Sequence, residues 1–538
     1  MAVFALLAAL IGLATAQSAS PDSPSPSASR IKAYNLSVPV DHFHNESRYE
    51  PHSADVFNLR YWLDTSNYKP GGPVIVLHSG ETSSQDRLPY LDHGIVPELT
   101  AATGGVGLVL EHRYYGTSYP TANITTQSLR FLTSEQALAD TAYFAQHVSF
   151  PGLEHVPLTA SHAPWIIYGG SYAGALAALA RKLYPDVFWG AISSSGVTAA
   201  IDDYWQYFEA ARHAAPGDCS DSLQRLVHVI DGHLCSGDEA RAKQLKELFG
   251  LGELWNDEFA DTIKAGIEGL QSTNWDPDED DGTLGLFCAA ITSDARLFAS
   301  TAHLMPRVRD AVLFVYGDTG DDVLSHESLV ARMLNYIGFV RDSVRKSRRE
   351  LCKNKTQREC YSARLLKDDT EISDSWFRSW TYQTCTQWGY FVTGTGVPHD
   401  RLPLVSRALT YEYATVLCRR FFNITSPPDV ESINRHGGFE FSYPRLAIID
   451  GAQDPWREAT PHALGHNVGR KSTVTEPFML IDWGVHHWDE YGLAWAERGR
   501  WEGLPPRQVA EAQRKEVWFV RAWLEEWKGR VVREVGEI

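Results

Sequence analysis

The 538-residue sequence predicts an α/β protein, a doubly wound and mainly parallel sheet interrupted by a large, mainly helical insertion. Three observations predict it. Between about residues 31 and 200, short apolar runs of strand length alternate with helix-forming runs. From 201 to about 436 the chain turns helical and rich in Trp and Tyr, and it holds all seven cysteines. Two strand-length runs then return, Arg445-Leu-Ala-Ile-Ile-Asp450 and Phe478-Met-Leu-Ile-Asp482.

The chain opens on Val3 to Ala16, an apolar stretch ending Ala14-Thr-Ala16. That is the form of a signal peptide over 1–16, cleaved before Gln17. It is shorter than the roughly 20 apolar residues a membrane span needs, and no later stretch is long enough, so no membrane anchor is expected. A Ser/Pro-rich linker over 17–30 cannot build a core. Folded sequence begins near Ile31, with Asp41-His-Phe43 and Phe57-Asn-Leu-Arg-Tyr-Trp62 flanking an antiparallel strand pair. Val74-Ile-Val-Leu-His78 and Val106-Gly-Leu-Val-Leu110 read as buried strands, the first ending in Ser79-Gly80-Glu81. A helix opens at Thr133 or Ser134, with acids in its first turn. Trp165-Ile-Ile-Tyr168 is the next strand and Gly190-Ala-Ile-Ser-Ser194 another. The first part of the α/β domain is therefore expected over 31–200, a helical cap over 201–436 and the second part over 437–538. Within the cap, Val330, Leu334, Ile337, Val340 and Val344 have helical spacing, and Val517, Val520, Leu524 and Trp527 stripe a closing helix.

The stretch Trp165-Ile-Ile-Tyr-Gly-Gly-Ser-Tyr-Ala-Gly174 carries the chemistry. A strand, a tight glycine turn, a serine and a strong helix former (Ala173-Gly-Ala-Leu-Ala-Ala-Leu-Ala180) are the sequence form of a nucleophile elbow with Ser171 at its apex. The second glycine of Gly-x-Ser-x-Gly is displaced, with Ala173 in its usual place and Gly174 beyond. A serine hydroxyl needs a base, and the base needs an acid to hold its tautomer. On an α/β-hydrolase fold these follow in the order Ser, Asp, His, on loops after successive strands. Asp454, in Gly451-Ala-Gln-Asp-Pro-Trp456, is the candidate acid, and Asp450 its rival at the strand end. His486 and His487, in Gly484-Val-His-His-Trp-Asp489, occupy the loop that needs the base. His42, His78 and His112 are read as packing or hydrogen-bonding residues. Oxyanion donors are expected from the N–H of Tyr172 and from the Ser79-Gly80-Glu81 turn, Gly80 foremost.

These motifs, with Glu111-His-Arg-Tyr-Tyr-Gly116, Leu132-Thr-Ser-Glu-Gln-Ala137, Tyr204-Trp-Gln-Tyr-Phe208, Trp380-Thr-Tyr-Gln-Thr-Cys385 and Gly437-Gly438, resemble the lysosomal Pro-Xaa carboxypeptidase family of serine peptidases over essentially the whole mature chain. The resemblance implies Ser171 as nucleophile, Asp454 as acid and His486 as base. It also implies an α/β-hydrolase domain with a helical cap, and cleavage on the carboxyl side of proline, often at acidic pH. Two positions depart from the animal exopeptidases of that family: Gln387 stands where they carry Glu, and Trp488 where they carry Leu. Proline is a flat apolar ring without an N–H, which suits an aromatic slot. Trp456 and Trp488, each two residues beyond a triad member, are expected to line it. Glu81, Gln387 and the arginines near the site are candidates for holding a substrate terminus.

A formal net charge of −18 argues against nucleic acid or an anionic membrane as partner. Peptide or protein substrates containing proline are the expected partners, and no cofactor is expected. No cysteine pair has zinc-site spacing, so no metal is expected. The compartment favours disulfides, with Cys219–Cys235 and Cys352–Cys360 the local guesses and one thiol left over. Five glycosylation sequons, at Asn35, Asn45, Asn123, Asn354 and Asn423, agree with export. The acidic run Asp276-Pro-Asp-Glu-Asp-Asp281 reads as a solvated loop, and Arg345-Lys-Ser-Arg-Arg349 as the wet face of a cap helix. The same triad also serves esterases and lipases, and a catalytically silent glycoprotein could share the fold.

Overall fold

Strand runs that are apolar at every position bury both faces, and the structure uses them so. Val74 and Val76 enter one core while Ile75 and Leu77 enter the other, and Trp165 and Ile167 alternate in the same way with Ile166 and Tyr168. The structure is a computed structural model describing residues 30–317, 326–373, 376–494 and 499–536. The expected signal peptide and residues 17–29 of the linker lie outside the described residues.

The strands are β1 (Lys32–Pro39), β2 (Val56–Asp64), β3 (Val74–His78), β4 (Val106–Leu110), β5 (Trp165–Gly170), β6 (Gly190–Ser194), β7 (Ile201–Asp203), β8 (Gly389–Phe391), β9 (Leu446–Gly451) and β10 (Phe478–Ile481). Eight of them form one sheet in the order β1-β2-β4-β3-β5-β6-β9-β10. The β1–β2 and β2–β4 pairs are antiparallel and the rest are parallel. This is the α/β-hydrolase fold. Asp41-His-Phe43 lies just past β1, flanking the antiparallel β1–β2 pair as expected, whereas residues 57–62 lie within β2. There the buried Asp41 carboxylate accepts the N–H of Phe43 and the amide of Gln136, and pairs with His52.

Helices cover both faces. Tyr172–Leu183 packs on one, and the closing helix Arg507–Gly536 lays Val520, Trp523 and Leu524 on the other. Thr133 caps the helix Ser134–His147 by accepting the N–H of Gln136. Buried ion pairs join the pieces. Arg113 clamps Asp140 through two bonds of 2.6 Å and also donates to the carbonyls of Val40 and Phe131. The fully buried Glu111 accepts from Arg60, Ser84, Thr117 and Ser118.

The helical section leaves the sheet after β6 and returns at β9. Its start is tied to a segment near its end where β7 pairs with β8. The stripe Val330, Leu334, Ile337, Val340 and Val344 is buried on the helix His326–Glu350, whose Arg345, Arg348 and Arg349 lie on its outer side. Cys352–Cys360 is a disulfide, whereas Cys219 pairs with Cys288 and not with Cys235. The reason is the sixteen-residue helix Cys219–Leu234. At 1.5 Å per residue it holds Cys235 roughly 24 Å from Cys219, against the ~7 Å at most that a disulfide spans between Cα atoms. Cys235 is left free and exposed, and Cys385–Cys418 completes the set. All five sequon asparagines are exposed. No described helix is long and apolar enough to cross a membrane.

Candidate active site

The elbow is built from what its glycines lack. Ser171 sits at φ 59°, ψ −127°, a conformation the tight turn between β5 and the helix Tyr172–Leu183 imposes. A Cβ on Gly169 would stand 2.1 Å from the Ala173 carbonyl oxygen, and one on Gly174 would stand 2.8 Å from Gly196. Any larger residue at either place would open the turn. Ala173 fits where a second glycine is usual because the next turn meets it with Gly80.

At the apex, Ser171 Oγ lies 2.9 Å from His486 Nε2. His486 Nδ1 lies 2.9 and 3.1 Å from the two oxygens of Asp454. Burial pushes the Asp454 carboxyl up, but His486, the Ser195 hydroxyl and the N–H of Trp456 outweigh it and hold the carboxyl below its ordinary range. Ser195 also accepts the N–H of His487, so one hydroxyl ties the Asp454 loop to the His486 loop. Sequence reading passed over Ser195. Its signal was the small-residue run Ser193-Ser-Ser-Gly196 at the end of β6. The rival Asp450 points elsewhere, pairing with His462 at 2.6 Å. His487 packs behind the elbow, 3.0 Å from Glu490 and stacked on Tyr491, with burial and His486 lowering its pKa.

The donor set differs from expectation at one atom. The Gly80 N–H is taken by His78 Nδ1 at 3.1 Å, a ring that burial and the neighbouring His112 keep neutral. Glu81, the next residue of that turn, lines the cavity with Tyr172. The Tyr172 ring is fixed by the amide of Gln383 at 2.6 Å, by His112 at 3.1 Å and by the edges of Trp380 and Trp388.

Ser171 opens onto a cavity of about 360 Å³. One wall is aromatic: Tyr207, Trp376, Trp380, Tyr390 and Trp456. Trp456 is stacked on Tyr204 at 5.3 Å, flanked edge-on by Tyr207 and Tyr390, and donates its indole N–H to Gln271. The other wall is polar, with Glu81, Thr82, Arg87 and Asp281. Trp488 is not part of it, contrary to expectation. Its indole N–H binds the Thr273 carbonyl, and its own carbonyl receives the indole of Trp275, so it clamps the His486 loop to the helical section from behind. Gln387 is also absent from the cavity, bonded to the N–H of Ser134 and to Glu135. The acidic run is solvated only in its middle: Asp276 is buried and Asp281 faces the cavity. Among the described residues, Asp41, His44 and His52 bring one possible metal-ligand atom each within 4.8 Å of one another.

Residues 39–262 and 324–498 match the family described as serine carboxypeptidase S28. The chain belongs to that family. A probable extracellular serine carboxypeptidase of Arthroderma benhamiae is 44% identical over 498 residues, covering 91% of this chain and 68% of that protein. Serine protease vicPa of Bipolaris victoriae is 28% identical over 460 residues, 81% of each. The thymus-specific serine protease of Mus musculus is 27% identical over 469 residues, 84% of this chain and 81% of that one. The S28 chain is thus a serine-type peptidase, and its substrates are peptides.

Behind the elbow of this S28 peptidase lies a group of buried acids. Asp489 accepts the hydroxyls of Tyr168 and Ser194, each at 2.7 Å, and burial pushes its pKa up to about 6. Glu516, on the closing helix, is fully buried with neither carboxyl oxygen partnered. Burial, with Asp489, Glu98 and Glu490 facing it, pushes its pKa well up. Such acids hold their protons in the fold after the unfolded chain has released them. The folded state then binds more protons between about pH 4 and pH 6, and stability falls as pH rises through that window. Glu516→Gln is expected to leave the melting temperature at pH 4 unchanged and to raise it at pH 7.5 by about 2 °C or more. Thermal melts at the two pH values check this, and an equal effect at both would reject it.

Proposed function

We propose that this chain is an exported peptidase that hydrolyses bonds on the carboxyl side of proline through an acyl-enzyme, with residues 201–436 as a cap over the site. Ser171 is the nucleophile, His486 the general base and then acid, and Asp454 the residue that holds the His486 tautomer. What carries the reading is the unbroken relay from Asp454 to His486 to Ser171, with 2.9 Å at each link, at the mouth of a cavity. In this scheme His486 Nε2 takes the Ser171 proton as Oγ attacks the prolyl carbonyl carbon. The oxyanion is received by the N–H groups of Tyr172 and Glu81. Collapse breaks the peptide C–N bond, and His486 returns the proton to the leaving amine. Water then repeats the sequence on the acyl-enzyme.

The proline ring is assigned to the aromatic wall, where Trp456 offers a face locked on three sides and no acceptor seeks a missing N–H. Export is supported by the leader-like first residues, by five exposed sequons and by the extracellular description of the A. benhamiae relative. Cleavage of peptides differing only in Pro or Ala before the scissile bond tests the specificity, and a fluorophosphonate that labels Ser171 tests the mechanism. Trp456→Ala is expected to cut the Pro-over-Ala ratio of kcat/KM by about tenfold or more. An unchanged ratio would remove Trp456 from the slot. Because the readout is a ratio, partial loss of folded enzyme does not affect it.

A further inference from the structure

A peptidase that removes residues from one chain end must hold that end's charge. We propose that Arg87 is the specificity-determining residue that receives the free C-terminal carboxylate of the substrate, so that the enzyme works as a carboxypeptidase; this rests on the serine-peptidase reading above. The carboxylate of a terminal residue lies one residue, about 3.8 Å of Cα spacing, past the bond that is cut. Its anchor must therefore line the same cavity as the nucleophile. Among the described residues that line it, Arg87 is the one cation.

Its donors are available. Arg87 Nε is spent on the Ser79 carbonyl at 3.2 Å, which fixes the plane of the head, and its two terminal nitrogens form no hydrogen bond or ion pair with a described residue. A guanidinium fork held in this way matches a carboxylate through two parallel N–H groups. The segment beneath it is rigid. Ser84 donates both its N–H and its hydroxyl to the buried Glu111, and Arg60 joins Glu111 to Ser83.

The other charged candidates are committed elsewhere. Lys264 pairs with Asp261 and Glu268, and Arg457 donates to the carbonyls of His462 and Ala452. The neighbouring Glu81 forms no ion pair with Arg87. It lies outside ion-pair distance, one of its oxygens is buried without a partner, and burial raises its pKa although Arg87 and His486 oppose this.

The test uses one peptide ending Pro-Xaa, prepared as the free acid, the C-terminal amide and the N-acetylated free acid. In the wild type the free acid is expected to exceed the amide about 100-fold in kcat/KM, chiefly through KM, and N-acetylation is expected to be neutral. Arg87→Gln brings the acid-to-amide ratio near one, and Arg87→Lys restores part of it. Equal cleavage of acid and amide by the wild type overturns the proposal while leaving the serine-peptidase reading intact. So does a ratio that survives Arg87→Gln. Sensitivity to N-acetylation in place of amidation would transfer the terminus to Glu81 and also overturn it. Failure of the wild type to cut any form, with no fluorophosphonate label on Ser171, would sink the underlying reading itself.

Discussion

Ser171→Ala lowers kcat on a Pro-containing peptide by about 10⁶-fold, His486→Ala does nearly the same, and the double variant falls little further. The expectation follows from the relay. In the proposed mechanism the hydroxyl attacks only as its proton leaves for His486 Nε2, 2.9 Å away, so removing either partner removes the same step. What would remain is binding and the two proposed oxyanion amides, which belong to the backbone and survive both substitutions. Ala at 171 keeps a small side chain in the strained turn, so the fold should persist, and thermal melts of each variant verify it. Steady-state kinetics on the purified variants, with fluorophosphonate labelling beside them, is the measurement. Additive losses in the double variant would mean that the two side chains do not act as one unit.

Asp454→Asn is expected to lower kcat by about 10⁴-fold. The carboxylate is buried, and it is held below its ordinary pKa range chiefly by His486 against the cost of burial. An amide there carries no charge to balance the imidazolium that forms during attack. It can also offer an N–H to the ring, which would turn His486 to the tautomer unable to accept the serine proton. Because the N–H of Trp456 and the Ser195 hydroxyl still find an oxygen, stability should change far less than rate. Asp450→Asn is the control. That carboxylate serves His462 rather than His486, so its replacement should cost less than tenfold in kcat. If the two substitutions cost the same, the assignment of Asp454 as the acid fails.

Much of this arrangement was legible in the chain because it depends on near neighbours. The runs at residues 74–78, 106–110 and 165–170 are strands because apolar side chains must be buried on both faces. The elbow at Ser171 is readable because bulk is excluded at Gly169 and Gly174, two and three positions away. Readings that linked distant segments by nearness in sequence fared worse. Cys235 follows Cys219 closely along the chain, yet a rigid helix separates them, and Cys288 reaches Cys219 instead. Trp488 follows His486 by two positions, as Trp456 follows Asp454, but only Trp456 lines the cavity. Gly80 stands in the right turn for an oxyanion donor, but the His78 ring claims its N–H.

The sequence by itself determined the layered α/β plan, the strained serine turn and the chain order of Ser171, Asp454 and His486, the three residues proposed as nucleophile, acid and base. These follow from local sterics, periodic burial and the connectivity of a parallel sheet. Only the tertiary structure decided which side chains share the cavity, Trp456 and not Trp488, Arg87 and not Gln387, and that Ser195 sits buried between two loops. The physical reason is distance along the chain. Ser171 and His486 are 315 residues apart, and where their neighbours point is fixed by the packing of cap against sheet, which no local preference encodes.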